Sequence, residues 1–154
     1  MIAYRESSFL EARPIVEAFL PAQWAHTGDS RIAPKVNWPF YQVLAQKGCL
    51  VILVAEDDGR AAGYLTALIH PHLNAIDTLV GTISTYYVEP RPDRAIVLKS
   101  MFGQAIEALK LRNVAVIKID TEYENSCGRL LELLGFEPER IGYKLWITQE
   151  KPNA

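Results

Sequence analysis

The feature that most constrains the fold is a β-rich run that stops at a proline and passes into a long helical pattern. The run Ile83–Val88 is rich in β-branched and aromatic residues, and Pro90 follows it. The helical pattern spans Ala95 to Arg112. Its apolar residues recur at helical spacing: Leu98, Phe102, Ala105 and Leu109. A helix that begins after such a short loop presents its unpaired first N–H groups there, which predicts an anion site.

Two arginines in the loop add to this prediction. Arg91 and Arg94 stand just before the helix, where each cation opposes the helix dipole by roughly 0.3–1 kcal/mol. A bound anion would remove that conflict, and Lys99 follows one turn into the helix. The sequence therefore predicts a phosphate site, and the alternative is that both arginines are simply solvated.

Hydrophobic periodicity predicts the elements in the order α-α-β-β-β-α-β-α-β, preceded by a short edge strand. The predicted bounds are an edge strand at 2–5, helices at 8–20 and 39–47, strands at 50–55, 61–69 and 76–88, a helix at 95–112, a strand at 114–119, a helix at 126–134 and a last strand or two within 136–147. Asp58-Gly59 is a usual hairpin-turn pair, so the three central strands form an antiparallel meander. The next strand is reached across a helix and is therefore parallel to its predecessor. The predicted class is α/β, with a mixed sheet and helices on both sides.

Local signals set the ends of the first two helices. Ser8 and Glu11 have the spacing of a capping box, and we expect Pro21 to end the helix that they begin. Residues 22–38 form the least regular segment of the sequence. Gly48 is the expected stop of the second helix.

Composition is that of one ordinary soluble domain, residues 1–154, with 148–154 as a frayed tail. The formal charge is -2, from 16 basic and 18 acidic residues, which argues against a general nucleic-acid binder. Cys49 and Cys127 are the only cysteines, so no disulfide framework is implied and a reducing compartment fits. The sequence shows no signal peptide and no apolar run that could span a bilayer, so we expect a cytoplasmic protein without membrane contact.

The motifs between residues 86 and 136 resemble those of the GCN5-related N-acetyltransferase (GNAT) superfamily, and the element order is similar over essentially the whole chain. Val88-Glu89-Pro90 matches the Val-x-Pro that ends a central strand in this family. Leu134-Gly135-Phe136 matches the Leu-Gly-Phe at the end of its last helix. Arg94 stands for the arginine of the Arg-x-x-Gly-x-Gly phosphate loop, while Val97 and Lys99 occupy its glycine positions. The resemblance implies the GNAT fold, an antiparallel meander joined to a βαβ crossover.

The resemblance also implies acetyl-CoA as co-substrate and no metal. In the family, loop N–H groups hold the pyrophosphate, and the pantetheine lies like an added strand where the sheet opens. That opening is expected between the strands of Tyr87 and Val114. The residues expected to bind the cofactor are Tyr86, Tyr87, Val88, Arg91, Arg94, Ala95, Ile96, Val97, Lys99, Asn125 and Cys127.

The implied reaction moves an acetyl group from acetyl-CoA to a primary amine by direct attack in a ternary complex. Backbone N–H groups near Tyr87 and Val88 would polarise the thioester carbonyl. The expected general base is Glu89 or His26. Four tyrosines are available as the acid for the leaving thiolate, and Tyr123 is the expected one, with packing as its alternative role; the others are Tyr86, Tyr87 and Tyr143.

Other side chains near this site carry further expectations. Thr82, Ser84 and Tyr86 stand at alternate positions, so they are expected to share one face and to order a water. Cys127 stands at a helix N-terminus, where a thiol pKa can fall, which makes a covalent acyl intermediate conceivable. The alternative is a small buried residue that packs near the cofactor. His70 is expected to be a surface residue far from the thioester.

The acceptor is expected to be an amine on a small molecule, a peptide or a protein lysine. Trp24, Trp38 and Tyr41 are expected to line its site, with core packing as the alternative. Two function classes remain open: an acyltransferase, and a catalytically inactive GNAT-fold module that binds partners. Because GNAT proteins often form dimers, a homodimer is a further candidate assembly.

Overall fold

The structure, a computed structural model, describes residues 1–27, 31–121, 127–139, 144–145 and 147. Its elements are β1 (Ile2–Glu6), α1 (Phe9–Thr27), α2 (Trp38–Gln46), β2 (Leu50–Asp57), β3 (Arg60–His72), β4 (Ala75–Val88), α3 (Arg94–Lys110), β5 (Val114–Ile119) and α4 (Cys127–Leu133). This order confirms the predicted edge strand, meander and crossover. Within these ranges no helix is long and apolar enough to cross a membrane.

The five strands form one mixed sheet in the order β1-β2-β3-β4-β5. β1 to β4 pair antiparallel, and β4 pairs with β5 in parallel across helix α3. Asp58 and Gly59 both have positive φ, as the tight turn between β2 and β3 requires. The predicted fold class is therefore confirmed.

Helices cover both faces of the sheet. Helices α3 and α4 pack on one face, where the sheet strands present alternate apolar residues. The core on this face consists of Val51, Leu53, Ala55, Leu65, Ala67, Ile69, Ile83, Val88, Val97, Met101, Phe102, Ala105, Leu109, Cys127 and Leu131. On the other face, α1 and α2 enclose a smaller cluster of Val16, Tyr64 and Tyr87 with Phe19, Val36 and Trp38. The crossover helix α3 therefore anchors the larger core.

Helix α1 continues through Pro21, so the prediction that Pro21 ends it is wrong. Contacts beyond the proline explain why the helix continues. Gln23 is buried and its Oε1 accepts a hydrogen bond from the hydroxyl of Tyr64. The Trp24 indole N–H donates to the carbonyl of Ile32 at 3.2 Å. These tertiary contacts offset the hydrogen bond that proline cannot donate.

Replacing Pro21 with alanine is expected to raise the free energy of unfolding by about 1–3 kcal/mol. Alanine supplies an N–H for the Glu17 carbonyl, and it is favoured over proline in a helix interior by roughly 3 kcal/mol. Pro21 is exposed, so no buried side chain is lost. Urea unfolding followed by circular dichroism measures the change. Pro39→Ala, in the first turn of α2, is the control and should change the free energy of unfolding little. A Pro21→Ala protein less stable than wild type would contradict the expectation.

The hairpin between β3 and β4 is longer than predicted. β3 runs through His72 and β4 begins at Ala75, so only Leu73-Asn74 remain between the strands that were predicted at 61–69 and 76–88. At the other end of the chain, the described residues of the range 136–147 lie outside any strand, which leaves the predicted last strand unsupported there. The tail predicted at 148–154 lies outside the described residues.

Candidate active site

The sheet opens along the outer edge of β4. β4 and β5 pair from Leu79 with Val114 to Ile83 with Ile119. β5 ends there, whereas β4 continues to Val88. In the described part of the chain, no strand lies beside this last stretch of β4 on the β5 side. An extended ligand can therefore lie along this edge.

A β-bulge at Ser84 marks the start of the open edge. Thr66 of β3 pairs with Thr85 and Ala67 pairs with Ile83, which leaves Ser84 as the extra residue. The Ser84 hydroxyl lies 3.0 Å from the Thr66 hydroxyl, within hydrogen-bond distance. Because a bulge bends its strand and increases the local twist, it gives a physical reason for β4 to leave β5 at this point.

The bulge also changes which side chains share a face. The expectation that Thr82, Ser84 and Tyr86 lie together is wrong, because the extra residue shifts the alternation. Tyr86 turns toward α3, where its ring meets Phe102 edge-on at 5.1 Å. Thr82 lies on the opposite face, with its hydroxyl 3.1 Å from Nε2 of His70, an exposed residue as expected.

The peptide groups of Tyr86 and Val88 point to the open edge. The N–H of Glu89 donates to the Ala62 carbonyl of β3 at 3.0 Å. Successive peptide groups in an antiparallel strand point to opposite edges, so Tyr87 also faces β3, and Tyr86 and Val88 face away from it. The donors available to a ligand on this edge are therefore those of Tyr86 and Val88.

The N-terminus of α3 stands beside this edge without a side-chain cap. Asp93 occupies the N-cap position, and its carbonyl accepts the N–H groups of Ile96 and Val97 at 2.9 and 3.1 Å. Its carboxylate makes no capping hydrogen bond, and the first turn holds no acidic residue. Ala95 and Ile96 are exposed at this end. The positive end of the helix dipole is therefore open to an anion.

Arg94, the first residue of α3, carries a polar atom that lacks a partner. Its Nε is buried and, among the described residues, has no hydrogen-bond partner. Its guanidinium carbon lies 6.0 Å from the centre of the Tyr87 ring. A buried unsatisfied donor costs about 1–3 kcal/mol, and an anionic ligand at the helix terminus can supply the missing acceptor.

Arg91, in contrast, is held by two carboxylates of the protein. Its Nη2 donates to Asp57 Oδ2 at 3.1 Å and to Asp93 Oδ2 at 3.2 Å, and its Nε donates to Asp93 Oδ1. The side chain is only 16% exposed. The two arginines that the sequence places together thus differ in kind, since in the described residues only Arg94 has a buried donor without a partner.

Cys127 lies at the start of α4 and is buried in the core on the α3 side. Burial raises the pKa of its thiol above the ordinary value, although a hydrogen bond from Tyr86 and the charge of Arg94 act in the opposite direction. The thiol is therefore not activated, contrary to the fall in pKa considered from the sequence. The packing role is the one that this environment favours.

The two positions where the family has glycine differ in where they lie. Val97 is 1% exposed and packs in the core, so its side chain lies away from the open helix end. Lys99, two residues further along α3, is exposed. Two other residues expected near the cofactor and the leaving group, Asn125 and Tyr123, lie outside the described residues.

The two candidate bases lie on different elements. Glu89 directly follows β4, and its Oε1 accepts a hydrogen bond from Nη2 of Arg60. The Glu89 side chain is 20% exposed and that of Arg60 is 73% exposed. His26 is exposed in the last turn of α1. In the ranges that the structure describes, no group of three His, Cys, Asp or Glu residues could hold a metal ion.

The aromatic residues expected at the acceptor site fall into a cluster and an outlier. Trp38 meets Phe9 and Tyr41 edge-on, each at 5.8 Å, and Arg13 lies over its ring at 5.2 Å. Trp38 and Tyr41 are only partly buried, so they can pack and still present an aromatic surface. Trp24 lies instead on the last part of α1, tied to the following loop.

The hydroxyl of Tyr64 lies beneath this cluster and is not a candidate acid. It donates to Oε1 of buried Gln23. Burial raises the pKa of Tyr64 strongly, and the neighbouring Tyr41 and Tyr87 add to the rise. Tyr64 was not singled out from the sequence, because its partner is 41 residues away in the chain.

No protein-family model matches the sequence, and no curated protein matches it significantly. Solved structures match it over nearly their whole length. A predicted acetyltransferase of Clostridium acetobutylicum, solved with acetyl-CoA, has a TM-score of 0.72 and 16% identity, covering 96% of this chain and 97% of that one. Glucosamine-6-phosphate N-acetyltransferase of Arabidopsis thaliana has a TM-score of 0.72 and 15% identity, covering 96% and 99%.

A third similar structure is a transcriptional regulator of Bacillus halodurans, with a TM-score of 0.76 and 19% identity, covering 96% of this chain and all of that one. The likeness at such low identities concerns the fold. The chain thus has the fold of the GCN5-related N-acetyltransferases, in a strongly divergent sequence.

Proposed function

We propose that this protein transfers an acetyl group from acetyl-CoA to a primary amine, by direct attack of the amine in a ternary complex. The observation that carries the proposal is that an unpaired strand edge and an uncapped helix N-terminus lie next to each other. The edge of β4 beyond Ile83 has no neighbouring strand among the described residues, and the uncapped N-terminus of α3 lies at the end of the same strand. One accepts an extended amide-bearing chain, and the other accepts a pyrophosphate.

The residues at α3 fit the phosphates despite the missing glycines. Arg94 has a buried Nε that lacks an acceptor in the described chain, and phosphate oxygens are strong acceptors for guanidinium. The side chain of Val97 points into the core, so a residue larger than glycine does not fill the approach to the helix end. Lys99 adds positive charge about one turn into the helix, and Ala95 and Ile96 are exposed at the helix end.

The chemical roles follow from the open edge. The N–H groups of Tyr86 and Val88 are proposed to hold the pantetheine chain and to donate to the thioester carbonyl, as an oxyanion hole does. Glu89, directly after β4, is proposed to accept the proton of the amine, directly or through a water. His26 remains the second candidate base, and Tyr123 remains the candidate acid. Bound acetyl-CoA would supply the acyl group itself.

An amine acceptor is the remaining part of the proposal. The similar structures include glucosamine-6-phosphate N-acetyltransferase and an aminoglycoside acetyltransferase, both named for amine-bearing acceptors. For this protein we propose an amine on a small molecule, a peptide or a protein lysine. Trp38 and Tyr41, with their partly exposed rings, are the proposed aromatic wall of its site, and Trp24 is a more distant candidate.

Calorimetric titration with acetyl-CoA, beside dephospho-CoA, tests the proposal. We expect acetyl-CoA to bind with a Kd in the micromolar range, about -8 kcal/mol. Such binding would justify a screen of amine acceptors. No heat and no thermal shift at millimolar acetyl-CoA would refute the acyltransferase.

A second candidate is a GNAT-fold module that has lost catalysis and binds a partner. The observation that favours it is the loop, in which two prolines and no glycine lead into α3. One similar structure is described as a transcriptional regulator, so the fold is not restricted to proteins described as enzymes. Two results together would favour this candidate. The protein would fail to bind acetyl-CoA, and it would capture a partner that is lost when a residue at the open edge of β4 is substituted.

A further inference from the structure

Asp93 stands where a helix cap is expected but does not act as one. An aspartate at an N-cap position ordinarily accepts a hydrogen bond from an N–H of the first helical turn. Here the carboxylate makes no such bond. Both of its oxygens are instead held by Arg91, through Nε and through Nη2. The arginine therefore keeps this acidic group from the helix end.

Arg91 also holds a second carboxylate. Its Nη2 lies 3.1 Å from Oδ2 of Asp57, at the end of β2. The three side chains form a compact cluster, with Arg91 16% exposed between Asp57 at 34% and Asp93 at 41%. The hydrogen bond from Arg91 lowers the pKa of Asp93 below its ordinary value. Hydrogen bonds from the N-terminal amine and from Arg91 lower the pKa of Asp57, so both carboxylates of the cluster are ionised at neutral pH.

We propose that Arg91 is a positioning residue that holds and neutralises Asp93, and thereby keeps the N-terminus of α3 open to the phosphates of acetyl-CoA. The inference rests on the proposed function. It assigns the direct phosphate contact to Arg94, whose Nε is free within the described chain, and removes Arg91 from that role. The loop thus tolerates an acidic residue next to an anion site because an arginine two positions earlier occupies it.

Loss of Arg91 would have two effects on an anionic ligand. Asp57 and Asp93 would no longer be compensated by the guanidinium, and their negative charge would repel the phosphates. The carboxylate of Asp93 would also be released to accept N–H groups at the helix end, in direct competition with the ligand. Asp57 keeps its ion pair with the N-terminal amine of Met1 at 3.2 Å, so most of the uncompensated charge belongs to Asp93, and removing Asp93 as well should reverse most of the loss.

Calorimetric titration of wild type, Arg91→Ala, Asp93→Ala and the double variant with acetyl-CoA tests this. We expect Arg91→Ala to weaken binding by roughly tenfold, and Asp93→Ala to bind at least as well as wild type. The double variant should recover to within about threefold of wild type. The loss in Arg91→Ala should shrink when salt is raised from about 0.03 M to about 0.3 M, because screening weakens the repulsion.

The alternatives give different results. If Arg91 contacts the phosphates directly, the double variant will bind no better than Arg91→Ala, and the inference is overturned. If Arg91 only braces the fold, its loss will lower the unfolding temperature without ligand, and the weakened binding will not depend on salt. If wild type itself does not bind acetyl-CoA, the proposed function fails and the inference fails with it. If wild type binds acetyl-CoA but the double variant does not recover affinity, only the inference fails.

Discussion

Replacing Arg94 with alanine is expected to weaken acetyl-CoA binding by about 10- to 150-fold while leaving the thermal stability of the free protein nearly unchanged. A charge-assisted hydrogen bond to phosphate is worth about 1.5–3 kcal/mol, which sets the size of the loss. Stability should change little because the gain from removing the buried, unpartnered Nε of Arg94 offsets the loss of its contact with the Tyr87 ring. Calorimetry measures the first quantity and thermal unfolding the second.

Two further variants define what Arg94 contributes. Arg94→Lys keeps the charge but loses the planar pair of donors, so it should lose less affinity than Arg94→Ala. Lys110→Ala removes a positive charge at the other end of α3, where Lys110 pairs with exposed Glu107, and should bind as wild type does. If Arg94→Ala bound acetyl-CoA with wild-type affinity, the assignment of the phosphate contact to Arg94 would be contradicted. If Lys110→Ala lost as much affinity as Arg94→Ala, the loss would reflect the net charge of the protein and not a contact made by Arg94.

Much of the fold is predictable from local sequence patterns. The three meander strands and α3 follow from periodicities that report which face of an element is buried. The capping box is observed as predicted, with the Glu11 N–H 3.3 Å from the Ser8 hydroxyl and the Ser8 N–H 3.4 Å from the Glu11 carboxylate. These features depend on residues within a few positions of each other, which is why sequence alone reveals them.

The features that escaped prediction depend on distant residues. The helix passes through Pro21 because Gln23 meets Tyr64 on β3, and nothing near Pro21 in the sequence indicates that partner. The bulge at Ser84 is set by pairing with β3, and it moves Tyr86 to the face opposite the one expected. A single extra residue reverses a pattern of period two, so alternation fails beyond it.

The candidate site shows the same division. The sequence places Arg91 and Arg94 in one loop and gives no means of telling them apart. Their difference comes from Asp57, which is 34 residues before Arg91 and meets it only in the folded chain. The sequence suggests that side chains at the two glycine positions would block the approach of phosphates to α3. In the structure, the side chain of Val97 lies in the core and does not occupy that approach. If the proposed function is correct, motif matching alone overstates the effect of the missing glycines on the site.

Gly63 is the position where we expect a single added methyl group to destabilise the fold most clearly. A Cβ there would lie 2.5 Å from the Tyr87 carbonyl oxygen and 2.9 Å from Cγ2 of Val88. Both contacts are on β4, and the first is with backbone, so the strands must separate. Gly63→Ala is expected to lower the free energy of unfolding by about 3 kcal/mol. Urea denaturation measures this loss.

The separation would fall at the end of β4 that carries the proposed acyl-CoA edge, since Gly63 pairs with Val88. We therefore expect Gly63→Ala to lose acetyl-CoA affinity as well as stability. Gly103→Ala is the matched control, because it lies within α3 and an added Cβ meets nothing within 4 Å. Alanine is the better helix former, so this variant should gain about 0.5–1 kcal/mol. A Gly63→Ala protein as stable as Gly103→Ala would contradict the close approach of β3 to β4. It would also contradict the pairing of Gly63 with Val88, on which the placement of Val88 at the open edge depends.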